Sequence, residues 1–348
     1  MANDLSKDLR GLYRWPAEWE PHAATWISWP HNVNSWPGAF EPIPEVFAEF
    51  IRTVAQFEPV HILASGEKRL QAEALIGTHP HLHLHEIPTD DCWIRDYGPW
   101  FLKPVDAQQP HKAISWEYNA WGEKYEHFAN DNQAGKTILN QLGFESIRPE
   151  RVMEGGSVET NGMGTLMTTR QCLLNPNRNP LDTEESLTDL LCRMTGAEHV
   201  IWLGDVQQET IAGDDTDAHI DQLARFVNHE TVVIAAQHDS SDINFELLLS
   251  LKQQLQQQQL ADGSSVHIVE LPLPSPVSFD GQRLPASYAN FYIGNGFVIV
   301  PTFDVPEDVQ AIGILSELFP DREIIGLRAV DLIWGLGAYH CASMQQTA

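Results

Sequence analysis

One arrangement recurs along this 348-residue chain and limits what it can fold into: an apolar or alternating strand, a tight turn, a second strand, a polar loop and an amphipathic helix. The stretch 157–168 reads as a hairpin, because Asn161-Gly162 supplies the positive φ angles that a tight turn needs. A helix is predicted over 183–194, beyond the loop 175–180. The order returns with 222–235 and a helix over 243–260, and again with 289–300 and a helix over 306–318. In the N-terminal half, 24–29 and the pair 98–103 and 113–118 read as strands, and 44–56 and 128–142 as helices. Lone strands are expected at 60–64, 82–87, 199–203, 266–271 and 323–329. About five strand-hairpin, helix, strand modules result, which points to an α/β repeat closed into one domain over 1–348 with no linker. A doubly wound sheet is the competitor, but it favours simple β-α alternation without inserted hairpins. The Gln-rich run 253–260 keeps leucines at helical spacing, so it reads as an exposed helix end rather than a disordered tract.

No apolar run approaches the roughly 20 residues that span a bilayer. The first ten residues lack the apolar centre and cleavage pattern of a secretory signal, so a cytoplasmic setting is expected. Against 48 Asp plus Glu stand 21 Lys plus Arg, a formal charge of -27. Such a surface repels nucleic acid and anionic lipid and attracts small cations, although solubility alone is sufficient reason for it. Cys92, Cys172, Cys192 and Cys341 form no metal-finger spacing and read as free thiols.

Four places carry chemistry. Cys341 ends the Gly-rich segment 335–341. A buried structural cysteine is the ordinary fate of one thiol, but His340, Ser343, Gln345 and Gln346 argue against an apolar setting. Cys92 is the rival nucleophile, whereas Cys172 and Cys192 read as packing. His219-Ile220-Asp221 on a strand would project a base and a carboxylate from one face, beside the acidic loop 213–217. Those acids could also serve a metal, but no second histidine stands at ligand spacing. Trp93-Ile-Arg-Asp96 brings Arg95, and one reading pairs it with Asp96 to make a turn. Alternatively, Asp96 faces the same cleft as Asp221, and two carboxylates that each accept paired N–H groups suit a planar guanidinium. Glu154-Gly155-Gly156 allows close backbone approach and offers Glu154 to the imidazole. His79, His81, His83 and His85 alternate on a predicted strand, where they could bind a metal adventitiously. No phosphate loop, dinucleotide fingerprint or nucleophile elbow is present.

The blocks 93–101, Glu154-Gly-Gly-Ser157, Asn177-Arg-Asn-Pro180, 215–221, 284–295 and His340-Cys341 resemble, in order, the agmatine deiminase and bacterial peptidylarginine deiminase family. The resemblance runs from about residue 20 to the C-terminus. It implies a pentein, a five-bladed β/α propeller with ββαβ modules around a central active-site channel. It also implies hydrolysis of a guanidine, foremost agmatine to N-carbamoylputrescine and ammonia, without metal or organic cofactor. By the same resemblance Cys341 is the nucleophile, His219 the general acid and base, Asp96 and Asp221 the guanidinium-gripping carboxylates, and Glu154 the acid that supports the histidine. Trp93 and Asp215 fall where agmatine deiminases contact the rest of the substrate. The expected partner is a cationic small guanidine, with no nucleic acid or membrane, and a homodimer or larger homo-oligomer is left open. Deimination of peptidylarginine or another small guanidine, and a non-catalytic pentein binding module, are the alternatives. The chain departs from the family pattern at Ala338 (usually Asn), Glu123 (usually Gly) and Ala218 (usually Gly).

Overall fold

The computed structural model describes residues 7–348; residues 1–6, part of the stretch read as lacking a secretory signal, lie outside the described residues. The predicted order of elements occurs five times: a strand, an antiparallel neighbour, a helix, and a strand that returns parallel to the second. Val158–Thr160 pairs antiparallel with Thr165–Thr169, and after the helix Glu184–Thr195 the strand His199–Leu203 lies parallel to the latter. Ala224–Phe226, Thr231–Ala236, the helix Phe245–Leu255 and His267–Pro272 repeat this. So do Tyr292–Gly294, Phe297–Thr302, the helix Glu307–Leu318 and Glu323–Arg328. Trp100–Pro104, Lys112–Ile114, the helix Ala129–Leu142 and Glu145–Ile147 form the corresponding N-terminal unit.

The remaining unit is assembled from both ends of the chain. The strand read at 24–29 is His22–Ser28; it finds its antiparallel partner in Ser343–Thr347, and Val60–Leu63 follows the helix Ile43–Val54 in parallel. This pairing carries Cys341 to the N-terminal half of the molecule. Among the described residues the sheets remain separate, and none closes on itself.

Local chemistry explains the helix limits. Thr183 caps the helix Glu184–Thr195 in a reciprocal box with Ser186, and Gly196 ends it at φ 73°, a left-handed position that suits a residue without Cβ. On the helix Ile43–Val54, the stripe Ile43, Phe47, Phe50, Ile51 and Val54 is buried. Most sheets share one continuous core, while Met167, Ile201, Leu203, Val232, Ile234 and Leu251 form a second cluster.

Two expectations change. The helix predicted to run to Leu260 stops at Leu255: residues 256–258 turn, and Leu260 folds back into the core as its N–H donates to the Ser264 carbonyl. The four-histidine strand is shorter than expected, Leu82–His85, so His79 and His81 precede it. His83 pairs in register with His61, which stacks on Trp26. A helix over Gly66–Ile76 was not legible because it buries only Ala72 and Ile76. Among the described residues no helix is long and apolar enough to cross a membrane.

Candidate active site

Three loops from different units meet at Gly156. A Cβ placed there would lie 2.6 Å from His219 Nδ1, 3.0 Å from Asp221 Oδ2 and 3.0 Å from Asp96 Oδ1. The glycine is therefore required sterically, and the distances show how closely the three side chains converge. Gly155 is equally constrained, because a Cβ would meet the Arg95 carbonyl at 2.1 Å. Asp96 sits in a single helical turn, Ile94–Tyr97. Its Oδ1 accepts the Gly156 N–H and its Oδ2 the Trp121 indole N–H, both at 2.9 Å. Burial raises its pKa to about 6, helped by Asp221 and Glu154 and opposed by His219.

His219 and Asp221 do not lie on a strand. His219 precedes a 3₁₀ turn, Ile220–Gln222, that follows two residues of positive φ, Asp217 and Ala218. A strand is impossible there because Asp214 accepts the N–H groups of Thr216 and Ala218, which curls the acidic loop onto itself. His219 Nε2 lies 3.1 Å from Glu154 Oε2, and its Nδ1 lies 3.7 Å from Asp96 Oδ1. Burial opposes the imidazolium, yet Asp96, Cys172 and Glu154 outweigh it and raise His219 well above its usual range. Glu154 falls to about 2 despite burial, because Arg178 and His219 hold it ionised.

Arg178, not singled out beforehand, donates from Nε to Glu154 Oε1 at 2.8 Å and from Nη2 to Thr216 O at 3.0 Å. Its signal was the Asn-Arg-Asn-Pro block, in which the cation stands alone. Cys172, read as packing, is buried but polar in its contacts, with Sγ 3.6 Å from Glu154 Oε2. Glu154, Cys172 and His219 form the one set of potential ligands, among the described residues, whose atoms lie within 4.8 Å of one another. Arg178 occupies both Glu154 oxygens, so this is a hydrogen-bonded group already matched by a cation.

Cys341 is 7% exposed, more buried than its polar neighbours suggested, and it lines a cleft of about 220 Å³ with Trp93, Asp96, Trp121, Asp215 and Trp334. Asn290 Nδ2 donates to its Sγ at 3.1 Å, while Asn290 Oδ1 accepts the Ala338 and Cys341 N–H groups. Asn290 was not predicted, although it lies in the 284–295 block. The thiol contacts Asp221 Oδ2 at 3.6 Å. Burial, Asp221 and Asp96 push its pKa well up. Asp221 itself is lowered, since hydrogen bonding to His340 overcomes burial. His219 Nδ1 and Asp221 Oδ1 are buried without hydrogen-bond partners. Both belong to the group around Gly156, where a guanidinium would satisfy a carboxylate oxygen.

Trp93 and Asp215 line the same cleft. Asp215 Oδ2 accepts the Tyr125 hydroxyl at 2.5 Å, and burial raises its pKa. Arg95 does not pair with Asp96; it points the opposite way, to Glu18, Gln345 and the His340 carbonyl. Cys92 is fully buried and is not among the cleft residues.

Five ββαβ units with converging loops, a thiol, an imidazole and paired carboxylates define a mixed α/β protein whose structural neighbours are of the pentein family. The chain belongs to the Porphyromonas-type peptidyl-arginine deiminase family, whose model matches residues 14–347. It is 34% identical over 359 residues to an agmatine deiminase of Stutzerimonas stutzeri, covering 97% of this chain and 96% of that one. Its fold is similar to the agmatine deiminase of Enterococcus faecalis, with a TM-score of 0.89 at 28% identity over 96% of this chain and 95% of the other. A substrate-bound agmatine deiminase of C. jejuni gives 0.87 at 28%, covering 97% and 96%.

Proposed function

We propose that this protein is an agmatine deiminase that hydrolyses the guanidino group to a ureido group and ammonia through Cys341. The observation that carries the reading is the convergence of Asp96, Asp221 and His219 on Gly156, beside a thiol that lines the cleft. The agmatine deiminases to which the chain is similar over nearly its whole length support the substrate. The aromatic cleft walls and the Asp215 carboxylate suit a slender alkyl chain bearing a second cation.

In this reading Asp96 and Asp221 grip the guanidinium. The bound cation offsets the two carboxylates that disfavour the thiolate, so substrate binding promotes ionisation of Cys341. The thiolate bonds to the guanidinium carbon, and one terminal C–N bond breaks as His219 protonates the leaving nitrogen. An S-alkylthiouronium remains. His219, now neutral, takes a proton from water, whose oxygen bonds to the same carbon. The C–S bond then breaks, the thiolate returns, and the hydroxyl proton leaves with ammonia as ammonium. Glu154, fixed by Arg178, orients His219.

The five repeated units read as blades of a single-domain propeller over residues 1–348 around a central active-site channel. Pairing of the chain's two ends and convergence of loops from separate units support this. The activity test is colorimetric detection of ureido product from agmatine, arginine, arginine peptides and methylated arginines. Agmatine is expected to be turned over most efficiently, and Cys341→Ala to abolish product. Undiminished ammonia release by that variant overturns the reading.

A further inference from the structure

We infer that His340 is a positioning residue for the deimination, a bridge that ties the gripping carboxylate Asp221 to the deeper carboxylate Glu18 and so fixes the grip relative to the nucleophile. This rests on the functional reading above. His340 is 1% exposed. Its Nδ1 lies 2.7 Å from Asp221 Oδ2, and its Nε2 lies 2.9 Å from Glu18 Oε2. Both ring nitrogens thus face a carboxylate oxygen at hydrogen-bond distance, and the ring spans the gap between the two acids.

Glu18 is anchored independently. Its Oε1 accepts from Arg225 Nη2 at 3.0 Å and from the Ile293 N–H at 2.8 Å, and its Oε2 accepts from Arg95 Nη2 at 3.2 Å. Arg95 also donates from Nε to the His340 carbonyl at 3.1 Å and from its own N–H to the Cys341 carbonyl at 3.2 Å. It is the sequence neighbour of Asp96. One buried layer, Glu18, Arg95, Arg225 and His340, therefore underlies both carboxylates and the nucleophile.

The bridge decides which oxygen of Asp221 is free. Oδ2 serves His340 and the Cys341 thiol, whereas Oδ1 is buried and unpartnered. A substrate N–H thus meets Oδ1 at a distance from Sγ set by the adjacent residues 340 and 341. The charged and titratable groups around Asp221 are His340, His219, Cys341, Arg225 and Asp96; around His340 they are Glu18, Asp221 and Arg95, with Glu159 beyond on Arg225. Burial is the largest influence on Asp221 and His340 the foremost opposing one, so without His340 the carboxyl takes up a proton more readily.

Two substitutions separate position from charge. His340→Asn keeps an N–H donor near the Nδ1 position; His340→Gln keeps one near Nε2, facing Glu18. In both, the lower step of the acid limb of kcat/KM for agmatine, where Asp221 takes up its proton beneath the Asp96 step near pH 6, is expected to move upward by about one pH unit. At the plateau, His340→Gln is expected to lose about 100-fold, mainly in kcat, because the grip is displaced by roughly an ångström. His340→Asn should retain at least ten times the activity of His340→Gln. An unmoved lower step, or equal plateau losses, overturns the bridge. If His340→Gln fails to fold, the limb of His340→Asn decides alone. Wild-type protein inactive on every guanidine would fail the functional reading and the bridge with it, whereas active wild type beside indifferent variants fails the bridge alone.

Discussion

Asp96 is where function opposes stability most directly. Its carboxyl titrates at about 6 in the folded protein, against an ordinary 3.8. Folded protein therefore binds more protons than unfolded protein across that window, so Asp96 favours folding below pH 3.8 and that contribution is lost as the pH rises through 6. The difference corresponds to roughly 3 kcal/mol at neutral pH, reduced by whatever His219 loses with its counter-charge. Asp96→Asn is expected to be inactive yet more stable by about 1–2 kcal/mol at pH 7 in urea unfolding, with the gain gone at pH 4. In the proposed mechanism the same carboxylate must be ionised to hold a guanidinium, so kcat/KM of the native protein should rise through about pH 6. Asp96, His219, Asp221 and Cys341 were legible as candidates because carboxylate, imidazole and thiol groups are the ones such chemistry calls for. Asn290 and Arg178 were harder to find, since an amide and a lone arginine acquire meaning only when a thiol or carboxylate stands beside them.

At the scale of elements, the cleft depends on backbone that resists its own sequence. Ala120, Trp121, Gly122 and Glu123 all have positive φ, forming one left-handed turn in which Asn119 O accepts the Glu123 N–H and Ala120 O the Lys124 N–H. Each non-glycine residue in such a conformation costs about 1–2 kcal/mol. The turn persists because it delivers the Trp121 indole to Asp96 and packs Gly122 on Asn177, where a Cβ would meet Nδ2 at 2.3 Å. Glu123 is exposed at φ 61°, so Glu123→Gly is expected to raise stability by about 0.5–1 kcal/mol with activity retained, read from the thermal midpoint. Ala218, at φ 69°, is a second place where this chain puts a side chain on left-handed backbone. The sequence pattern favoured a strand for His219-Ile220-Asp221 because polar–apolar–polar alternation has the period of a strand. Hydrogen bonds to Asp214 from the Thr216 and Ala218 N–H groups selected a turn instead.

For the molecule as a whole, the C-terminal strand closes the unit begun by His22–Ser28. Removing residues 343–348 deletes that antiparallel pairing, the burial of Met344 and the Arg95–Gln345 bond. The truncated chain is expected to lose several kcal/mol in denaturant unfolding, well beyond the ~1 kcal/mol of a typical point mutation, and all deiminase activity. A second expectation concerns charge. With a formal charge of -27, the protein should draw a dicationic substrate, so kcat/KM for agmatine should fall as salt rises from 10 to 300 mM while kcat stays nearly level. A flat dependence would assign the acidic surface to solubility alone.

Sequence by itself determined the recurring β-β-α-β order, the candidate site residues and the family, because turn chemistry, hydrophobic period and functional-group identity are local and written residue by residue. Only the tertiary structure decided that the strand His22–Ser28 is completed by the last one, that His219 and Asp221 leave a turn rather than a strand, and that Glu18 and Arg95 support the site from behind. Those outcomes depend on contacts across hundreds of positions of chain, 322 of them between Glu18 and His340, and no local period records a partner so distant.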